Sequence, residues 1–256
     1  MFYETITKVS AAAEGKSKFL KKSKARYVLA AALAGLYIGL GIVLIFNVGG
    51  YLSAAESPFT KIFMGASFGI ALSLVLMAGS ELFTGNNLIM TIGSLEKKVS
   101  WMDSINVWIF SYFGNLLGSL ALAALLVYSG TVTKAPVADF FLKVSAAKMN
   151  APFMDLLLKG VLCNILVCLA VWCAFKMKSE SGKLIMTFWC LFAFITAGFE
   201  HSIANMTVLG VGLLLPHSET ISLMGFANNL IPVTIGNMIG GAICIGYVYW
   251  FISKDK

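Results

Sequence analysis

Residues 198–205 read Gly-Phe-Glu-His-Ser-Ile-Ala-Asn, and they interrupt a run of 35 residues, Leu184 to Ser218, that contains one acidic residue, Glu200. A straight helix of that length would be about 50 Å long. The hydrocarbon layer of a bilayer is only about 30 Å thick, and about 20 apolar residues cross it. Because a glycine and polar residues lie in the middle of the run, the pattern predicts a transmembrane helix that is broken near the bilayer centre.

A second run of the same kind extends over 34 residues from Ile62 to Leu95 and contains one charged residue, Glu81. Its middle, residues 79–86, reads Gly-Ser-Glu-Leu-Phe-Thr-Gly-Asn, so both runs fit the pattern G-x-E-x-x-x-small-N at an offset of 119 residues. The sequence Gly-Asn-x-x-Gly likewise occurs at 114–118 and at 236–240. These paired glycines also fit the small-xxx-small pattern of close helix packing.

The two matches occur in the same order, which predicts an internal duplication of three spans, with repeats at about 27–133 and 155–253. Because three is odd, the second repeat must be inserted upside down. In such folds the substrate site lies near the midplane, between the repeats, and is formed by discontinuous helices.

The composition agrees with a membrane protein, since 59% of the 256 residues are hydrophobic and 12% are charged. A soluble domain has about twice that charged fraction. The uncharged runs place spans near 28–50, 60–95, 103–130, 156–177, 184–215 and 227–252. The fold class predicted is therefore an all-α integral membrane protein, a single channel domain over 1–256, with helices 2 and 5 broken at mid-membrane.

With six spans, 14 of the 19 Lys and Arg residues fall on one side and 5 on the other. The positive-inside rule then places both termini in the cytoplasm. Residues 1–26 are basic and are expected to be either an amphipathic helix on the membrane surface or a simple topogenic charge cluster. The apolar run after Arg26 is about twice the length of a signal-peptide core, which favours a true span.

Several function classes are disfavoured. The basic residues flank spans and form no aromatic platform, so nucleic acid is not an expected partner. The five cysteines lie inside apolar runs without a CxxC pair, and the chain has two histidines, so no metal and no cofactor are expected. No serine, cysteine or metal cluster completes a catalytic set beside Glu200 and His201, so no catalytic residue and no enzyme activity are expected.

The two breaks contain the candidate functional residues. Glu81 and Glu200 occupy equivalent repeat positions and, with Asn86 and Asn205 of the same motifs, are expected to brace the broken loops. The glutamates would do so by accepting hydrogen bonds from freed backbone N–H groups. Such duplicated acids are a structural feature more than a substrate site.

His201 differs because its repeat counterpart is Leu82. An imidazole titrates near neutral pH, and beside a hydroxyl such as that of Thr84 it would offer a hydrogen-bond donor or a proton to an anion. Half-helix N-termini also favour anionic groups at the midplane. Lys148 either attracts anions into the outer mouth or is an ordinary snorkelling lysine. The bulky side chains near the breaks are candidates for apolar constrictions; they are Leu82, Phe83 and Phe194.

Four segments carry a resemblance to the formate/nitrite transporter family: GSELFTGNN (79–87), KGVLCNILVCLAVW (159–172), AGFEHSIANM (197–206) and NNLIPVTIGNMIGG (228–241). The sequence is most similar to the hydrosulfide-channel subgroup. The resemblance implies an aquaporin-like fold, a homopentamer with a pore in each protomer, and passage of hydrosulfide, formate or nitrite across the cytoplasmic membrane of a prokaryote. The Asn-Pro-Ala boxes of aquaporins do not occur in the chain.

The resemblance also implies roles for individual residues. His201 corresponds to the family's central histidine, and Thr84 to the threonine on the loop that interrupts the second helix. Lys148 and Asn164 correspond to polar positions near the lumen. One constriction corresponds to Leu72, Leu82 and Val167, and the other to Phe68 and Phe194.

Three alternatives stay open at this stage. Within a channel, the substrate crosses either as an anion beside a neutral histidine or as a neutral acid after proton transfer from His201. A proton-coupled symporter of small monocarboxylates is a second function. A non-transporting membrane scaffold is a third, and it leaves the two broken helices unexplained.

Overall fold

The computed structural model describes residues 2–254 and contains ten helices over that range. They are α1 Tyr3–Lys22, α2 Lys24–Ala54, α3 Thr60–Gly79, α4 Phe83–Leu95, α5 Trp101–Tyr128, α6 Val137–Met149, α7 Phe153–Lys176, α8 Glu180–Ala197, α9 Ser202–Leu214 and α10 Leu223–Ser253. Six of these are long and apolar enough to cross a bilayer: α2, α3, α5, α7, α8 and α10. The predicted all-α, six-span fold is confirmed.

Both predicted helix breaks are present. The first separates α3 from α4, and the second separates α8 from α9. Each upstream half is followed or ended by a glycine in the left-handed region, Gly79 at φ +81° and Gly198 at φ +76°, a conformation that glycine adopts without a side-chain clash. Helices α4 and α9 have 13 residues each, so each is about 20 Å long and runs through part of the bilayer thickness.

The order of elements repeats. A shorter helix, a span, a broken span and a second span make up α1–α5, and the same series makes up α6–α10. The predicted spans end near 130 and resume near 156, so helix α6 is a finding of the structure. Its 13 residues include Asp139, Lys143 and Lys148, and are too short and too charged to be recognised as a span.

The basic N-terminal segment forms a helix, α1, which is one of the two forms expected for it. Its apolar face packs on the transmembrane domain, chiefly against α4, and buries Ile6, Val9, Ala13 and Leu20. The apolar positions recur at helical spacing, and protein rather than lipid covers them.

Within each repeat, two helices cross at a very short distance. At the crossing of α2 and α5, a Cβ added to Gly118 would meet the carbonyl oxygen of Ala32. At the crossing of α7 and α10, a Cβ added to Gly236 would meet the carbonyl oxygen of Leu157. The small-residue packing predicted from the Gly-Asn-x-x-Gly pairs is therefore present, and it brings the asparagine of each pair up to a broken loop.

Candidate functional site

The asparagines of the Gly-Asn-x-x-Gly pairs hold the broken loops. The Asn115 amide donates to the carbonyl oxygens of Ala31 (2.7 Å) and Glu81 (2.9 Å), and its Oδ1 accepts the backbone N–H of Phe83 at 2.9 Å. Phe83 is the first residue of α4, so its N–H has no partner within the helix. One side chain thus satisfies three backbone groups on two helices.

The second break has the same arrangement. The Asn237 amide donates to the carbonyl oxygens of Gly160 (2.8 Å) and Glu200 (3.0 Å), and its Oδ1 accepts the backbone N–H of Ser202 at 2.9 Å. Both asparagines are fully buried. The sequence pattern predicts close packing at the glycines of this motif, and its repetition was the signal that would have identified the role of the asparagines.

The twin glutamates bind side chains. The Glu81 carboxylate accepts from Lys16 Nζ at 2.8 Å, from the Tyr27 hydroxyl at 2.8 Å and from the Asn86 amide at 3.2 Å. The equivalent Glu200 has a simpler set. Its carboxylate accepts from Lys148 Nζ at 2.7–2.8 Å and from the Asn205 amide at 2.6 Å.

The expected source of those hydrogen bonds was therefore wrong. The backbone N–H groups freed by the breaks go to the neutral oxygens of Asn115 and Asn237, not to the carboxylates. The reason is positional, because each carboxylate points toward a lysine on the first helix of its repeat. Lys16 lies on α1 and Lys148 lies on α6.

His201 and Thr84 meet across the two breaks, with 3.1 Å between Nε2 and Oγ1. His201 is also the N-cap of α9, because its Nδ1 accepts the backbone N–H of Ala204 at 3.1 Å. With Nδ1 acting as an acceptor, the hydrogen of a neutral imidazole is on Nε2 and is donated to the threonine hydroxyl. The hydroxyl hydrogen of Thr84 then stays available for another acceptor.

The centre between the breaks is closed and apolar. A void of about 10 Å³, about the minimum for one water molecule, separates two larger cavities. Its lining consists of Ile38, Phe68, Leu72, Leu82, Val167, Leu191, Phe194 and His201. The rings of Phe194 and His201 stack at 6.1 Å between centroids, and Phe68 meets Phe194 edge-on at 5.7 Å.

The two larger cavities lie on either side of this void, and we call them the Glu200 vestibule and the Glu81 vestibule. The Glu200 vestibule has a volume of about 610 Å³ and reaches Phe194, His201 and Lys148. The Glu81 vestibule has a volume of about 430 Å³ and reaches Leu72, Leu82 and Lys16. One continuous file of residues therefore joins the two vestibules through the apolar centre.

Most of the predicted site residues lie along this file. All five residues expected at the two constrictions line the single central void, although Leu72 and Leu82 also face one vestibule and Phe194 faces the other. Thr84 and Asn164 are both completely buried and line neither vestibule nor the void, and Asn164 lies behind Thr84. Its amide donates to the Thr84 carbonyl at 3.2 Å and to the Asn237 carbonyl at 2.6 Å.

Four residues near the passage were missed by sequence reasoning. Leu191 stands 119 residues after Leu72, which is the offset of the repeated motif, so it was recoverable. Lys16 and Tyr27 contact Glu81 from the N-terminal segment, and Ile38 lines the void from α2. No local motif marks these last three.

Two facing helix breaks, and an apolar centre between two vestibules that each hold a lysine–glutamate pair, define a membrane transport protein of the channel type. The chain matches the family model Formate/nitrite transporter over residues 3–251, and it belongs to that family. It is a multi-pass membrane protein that functions as an anion channel or transporter, and it is not an enzyme.

Individual relatives agree over the full length. The nitrite transporter NirC of Escherichia coli is 41% identical over 253 residues, which cover 99% of this chain and 93% of that protein. A solved structure described as an FNT family ion channel superposes with a TM-score of 0.94 at 38% identity and covers 99% of this chain and 100% of that one. A pentameric formate channel with formate bound superposes at 0.79 with 31% identity, covering 91% and 98%.

Proposed function

We propose that this protein passes small monovalent anions of weak acids, namely formate, nitrite and hydrosulfide, through a pore in each protomer of a homopentamer. The carrying observation is His201, which lines the apolar centre between the vestibules and contacts the buried hydroxyl of Thr84 behind it. A relative in Escherichia coli is named a nitrite transporter, and a similar solved structure is titled a pentameric formate channel. Hydrosulfide rests on the sequence resemblance alone.

The lysine–glutamate pairs account for the collection of anions. Lys148 and Lys16 are each about four-fifths buried in a vestibule wall and ion-paired with a glutamate. Each pair is close to neutral in net charge, yet its ammonium group presents hydrogen-bond donors to the vestibule. A weak-acid anion is therefore attracted without being held as tightly as it would be by an isolated buried cation.

The apolar centre accounts for the rejection of hydrated ions. A void of about 10 Å³ lined by leucine, isoleucine, valine and phenylalanine does not hold a hydration shell. Charge is disfavoured there, so a substrate that carries a proton crosses more readily than a bare anion. The hydrogen of His201 Nε2 and the hydroxyl of Thr84 replace part of the lost hydration at the midpoint.

The hydrogen bonds of His201 favour a neutral imidazole as a donor over a proton-carrying one. A second ring proton would sit on Nδ1, which accepts the Ala204 N–H and caps α9. That proton would remove the acceptor and place a positive charge at a helix N-terminus, where the backbone dipole already disfavours a cation. We therefore assign the proton taken up by the substrate to the vestibule solvent, and not to His201.

The proposed setting is the cytoplasmic membrane of a prokaryote, with both termini in the cytoplasm. The distribution of lysine and arginine supports this orientation, because 14 of 19 lie on the side that holds α1. The Glu81 vestibule is then cytoplasmic, and the Glu200 vestibule faces outward.

The test is flux into proteoliposomes, with formate, nitrite, hydrosulfide and lactate measured side by side. We expect uptake of the three smaller anions above that of empty liposomes, and slower uptake of lactate because the void is narrow. Flux equal to that of empty liposomes for all four would leave a non-transporting scaffold as the better account.

An imposed membrane potential and an imposed pH gradient separate passage of a bare anion from passage together with a proton. A pore that passes the bare anion responds to the potential in the absence of a pH gradient. A pore that passes the neutral acid and a proton-coupled symporter both accumulate the anion along an inward proton gradient, and both lose that accumulation on addition of a protonophore. Those two differ in saturation, because uptake by a symporter levels off at the rate of its conformational cycle, whereas flux through a pore keeps rising with substrate concentration.

A further inference from the structure

A basic depression lies outside the transport path, on the same side of the membrane as α1. It has a volume of about 740 Å³ and lies where the turn between α4 and α5 meets the end of α10. Three exposed lysines line it, namely Lys97, Lys98 and Lys254, together with the indole rings of Trp101 and Trp250. None of these features takes part in the path between the vestibules.

Among the residues that the structure describes, the depression keeps a net positive charge. Asp103 pairs with Lys21 at 2.7 Å, while Glu96 accepts the Trp250 indole N–H at 2.7 Å and offsets one of the three lysine charges. Within residues 2–254, none of the three lysines is ion-paired with a carboxylate. Lys254 Nζ lies instead 3.8 Å from the centroid of the Trp250 ring.

The backbone fixes two of the three charges in place. Lys97 adopts φ +56°, a conformation that is uncommon outside glycine. The Lys98 N–H donates to the Gly93 carbonyl at 2.9 Å, so the turn is closed on α4. The two neighbouring lysines therefore project from a tight turn at the membrane boundary.

An apolar surface adjoins the depression. Phe251 and Ile252 on the last turn of α10 are 60% and 54% exposed, and Trp101 is 51% exposed at the start of α5. Exposed tryptophans of this kind are typical of the interface between hydrocarbon and headgroups. A ligand in the depression would thus have a phosphate-sized anionic group near the lysines and alkyl chains along α10.

We infer that this depression binds an anionic phospholipid, with its phosphodiester among Lys97, Lys98 and Lys254 and its acyl chains on the exposed face of α10. Basic clusters at the cytoplasmic boundary of transmembrane helices attract anionic headgroups. The apolar face beside the lysines is the reason to choose a lipid over free phosphate, because inorganic phosphate gains nothing from that surface.

The test is native mass spectrometry of the purified protein in detergent with added dioleoyl phosphatidylglycerol or dioleoyl phosphatidylcholine. We expect the wild-type protein to retain phosphatidylglycerol preferentially. The variant K97Q/K98Q/K254Q should retain it roughly tenfold less, because the three charges that attract the headgroup are gone. The variant K18Q/K22Q/K178Q removes the same charge at exposed positions outside the depression and should change retention by less than about twofold.

Three outcomes would overturn the inference. They are equal retention of the two lipids by the wild-type protein, equal loss in the two triple variants, and displacement of the lipid by millimolar inorganic phosphate, which would mean an ion site only. The wild-type comparison decides even if the triple variant fails to fold. The variant K97Q/K98Q, which keeps Lys254 on Trp250, should then show a smaller loss than the full triple variant.

Discussion

The two helix breaks are held by the same set of hydrogen bonds, which we call the frame, and they differ in the residues that meet at the centre. In each, a buried asparagine holds two carbonyls and one N–H, and a glutamate pairs with a lysine and an asparagine. Two other positions differ between the breaks. Leu82 in the first break corresponds to His201 in the second, while Thr84 in the first corresponds to Ile203 in the second, each at an offset of 119.

The consequence is a single polar contact at the centre. His201 of the second break meets Thr84 of the first at 3.1 Å, and the counterpart pair, Leu82 with Ile203, is apolar. The repeat therefore supplies the scaffold twice and the His201–Thr84 pair, which we propose handles the substrate, once. If this division is right, variants of the frame should lower stability equally at both breaks, and variants of the polar pair should lower flux by more than their loss of stability explains.

The largest expected effect is on the frame. N115A and N237A each leave two carbonyls and one N–H buried without a partner, which costs about 3 kcal/mol or more of the free energy of unfolding. We expect both variants to melt well below the wild-type protein in detergent, by similar amounts, and to yield less intact oligomer on size-exclusion chromatography.

The matched control for these variants is N47A. Asn47 also lies in a transmembrane helix, but its amide donates to the Val43 carbonyl one turn earlier on the same helix, so its loss should cost little. Unequal melting of N115A and N237A would break the comparison, because it would mean that one loop is held by other groups.

The next largest effect is expected from giving the second break the residue of the first. H201L removes the Nε2 donor at the centre and the acceptor of the Ala204 N–H. Losing a donor that a polar or charged substrate uses lowers flux roughly tenfold to hundredfold. Formate flux into proteoliposomes at several pH values measures this.

The control is L82M, a volume-conserving change at the equivalent position of the first break, which should stay within about twofold of wild type. Equal flux in H201L and wild type would remove His201 from the proposed pathway.

Much of this frame could be predicted from the sequence, because its elements are repeated. The two motifs containing Glu81 and Glu200 predicted both breaks, and the spacing of uncharged runs predicted all six spans. Contacts between segments that are distant in the chain were harder to predict. The partner of Glu81 is Lys16, on a helix 65 residues away in the chain, and no local pattern links the two.

The failures have physical reasons. The backbone N–H groups freed by the breaks were expected to donate to the carboxylates. The structure uses an uncharged amide instead. Because an amide both donates and accepts, the Asn115 side chain satisfies three backbone groups at once without a buried charge. The family resemblance placed Asn164 near the lumen, and its amide donates to carbonyl groups behind Thr84. A polar residue in a span indicates a hydrogen-bonded position, but it does not indicate whether the side chain faces the lumen or the protein behind it.

A smaller effect than that of His201 is expected from Thr84. T84V keeps the shape of the side chain and removes the hydroxyl, so Nε2–H loses its acceptor and the substrate loses one donor. Flux should fall roughly fivefold to tenfold, in line with the loss of one hydrogen bond. T84S restores the hydroxyl and should recover most of the flux.

A double-mutant cycle decides whether the two residues act as one unit. H201L combined with T84V should lower flux no further than H201L alone, because the threonine then has no imidazole to orient it. Fully additive losses would show that each residue meets the substrate independently, and the single polar contact would not be the working unit.

The smallest expected effect returns to the repeated part of the breaks. K148Q and K16Q each remove the ammonium group from one vestibule. Each should lower flux a few-fold at low ionic strength and less at high salt, since salt screens the attraction of anions to the vestibule.

Each variant also leaves a glutamate without its cation, so K148Q/E200Q and K16Q/E81Q are the necessary companions. If the double variants recover flux, the single losses came from an uncompensated carboxylate that repels anions. If they do not, the lysine itself gathers the substrate. Because the two pairs occupy equivalent places, the same answer is expected at both vestibules, and a different answer at each would mean that the duplication of the frame does not extend to the mouths of the pore.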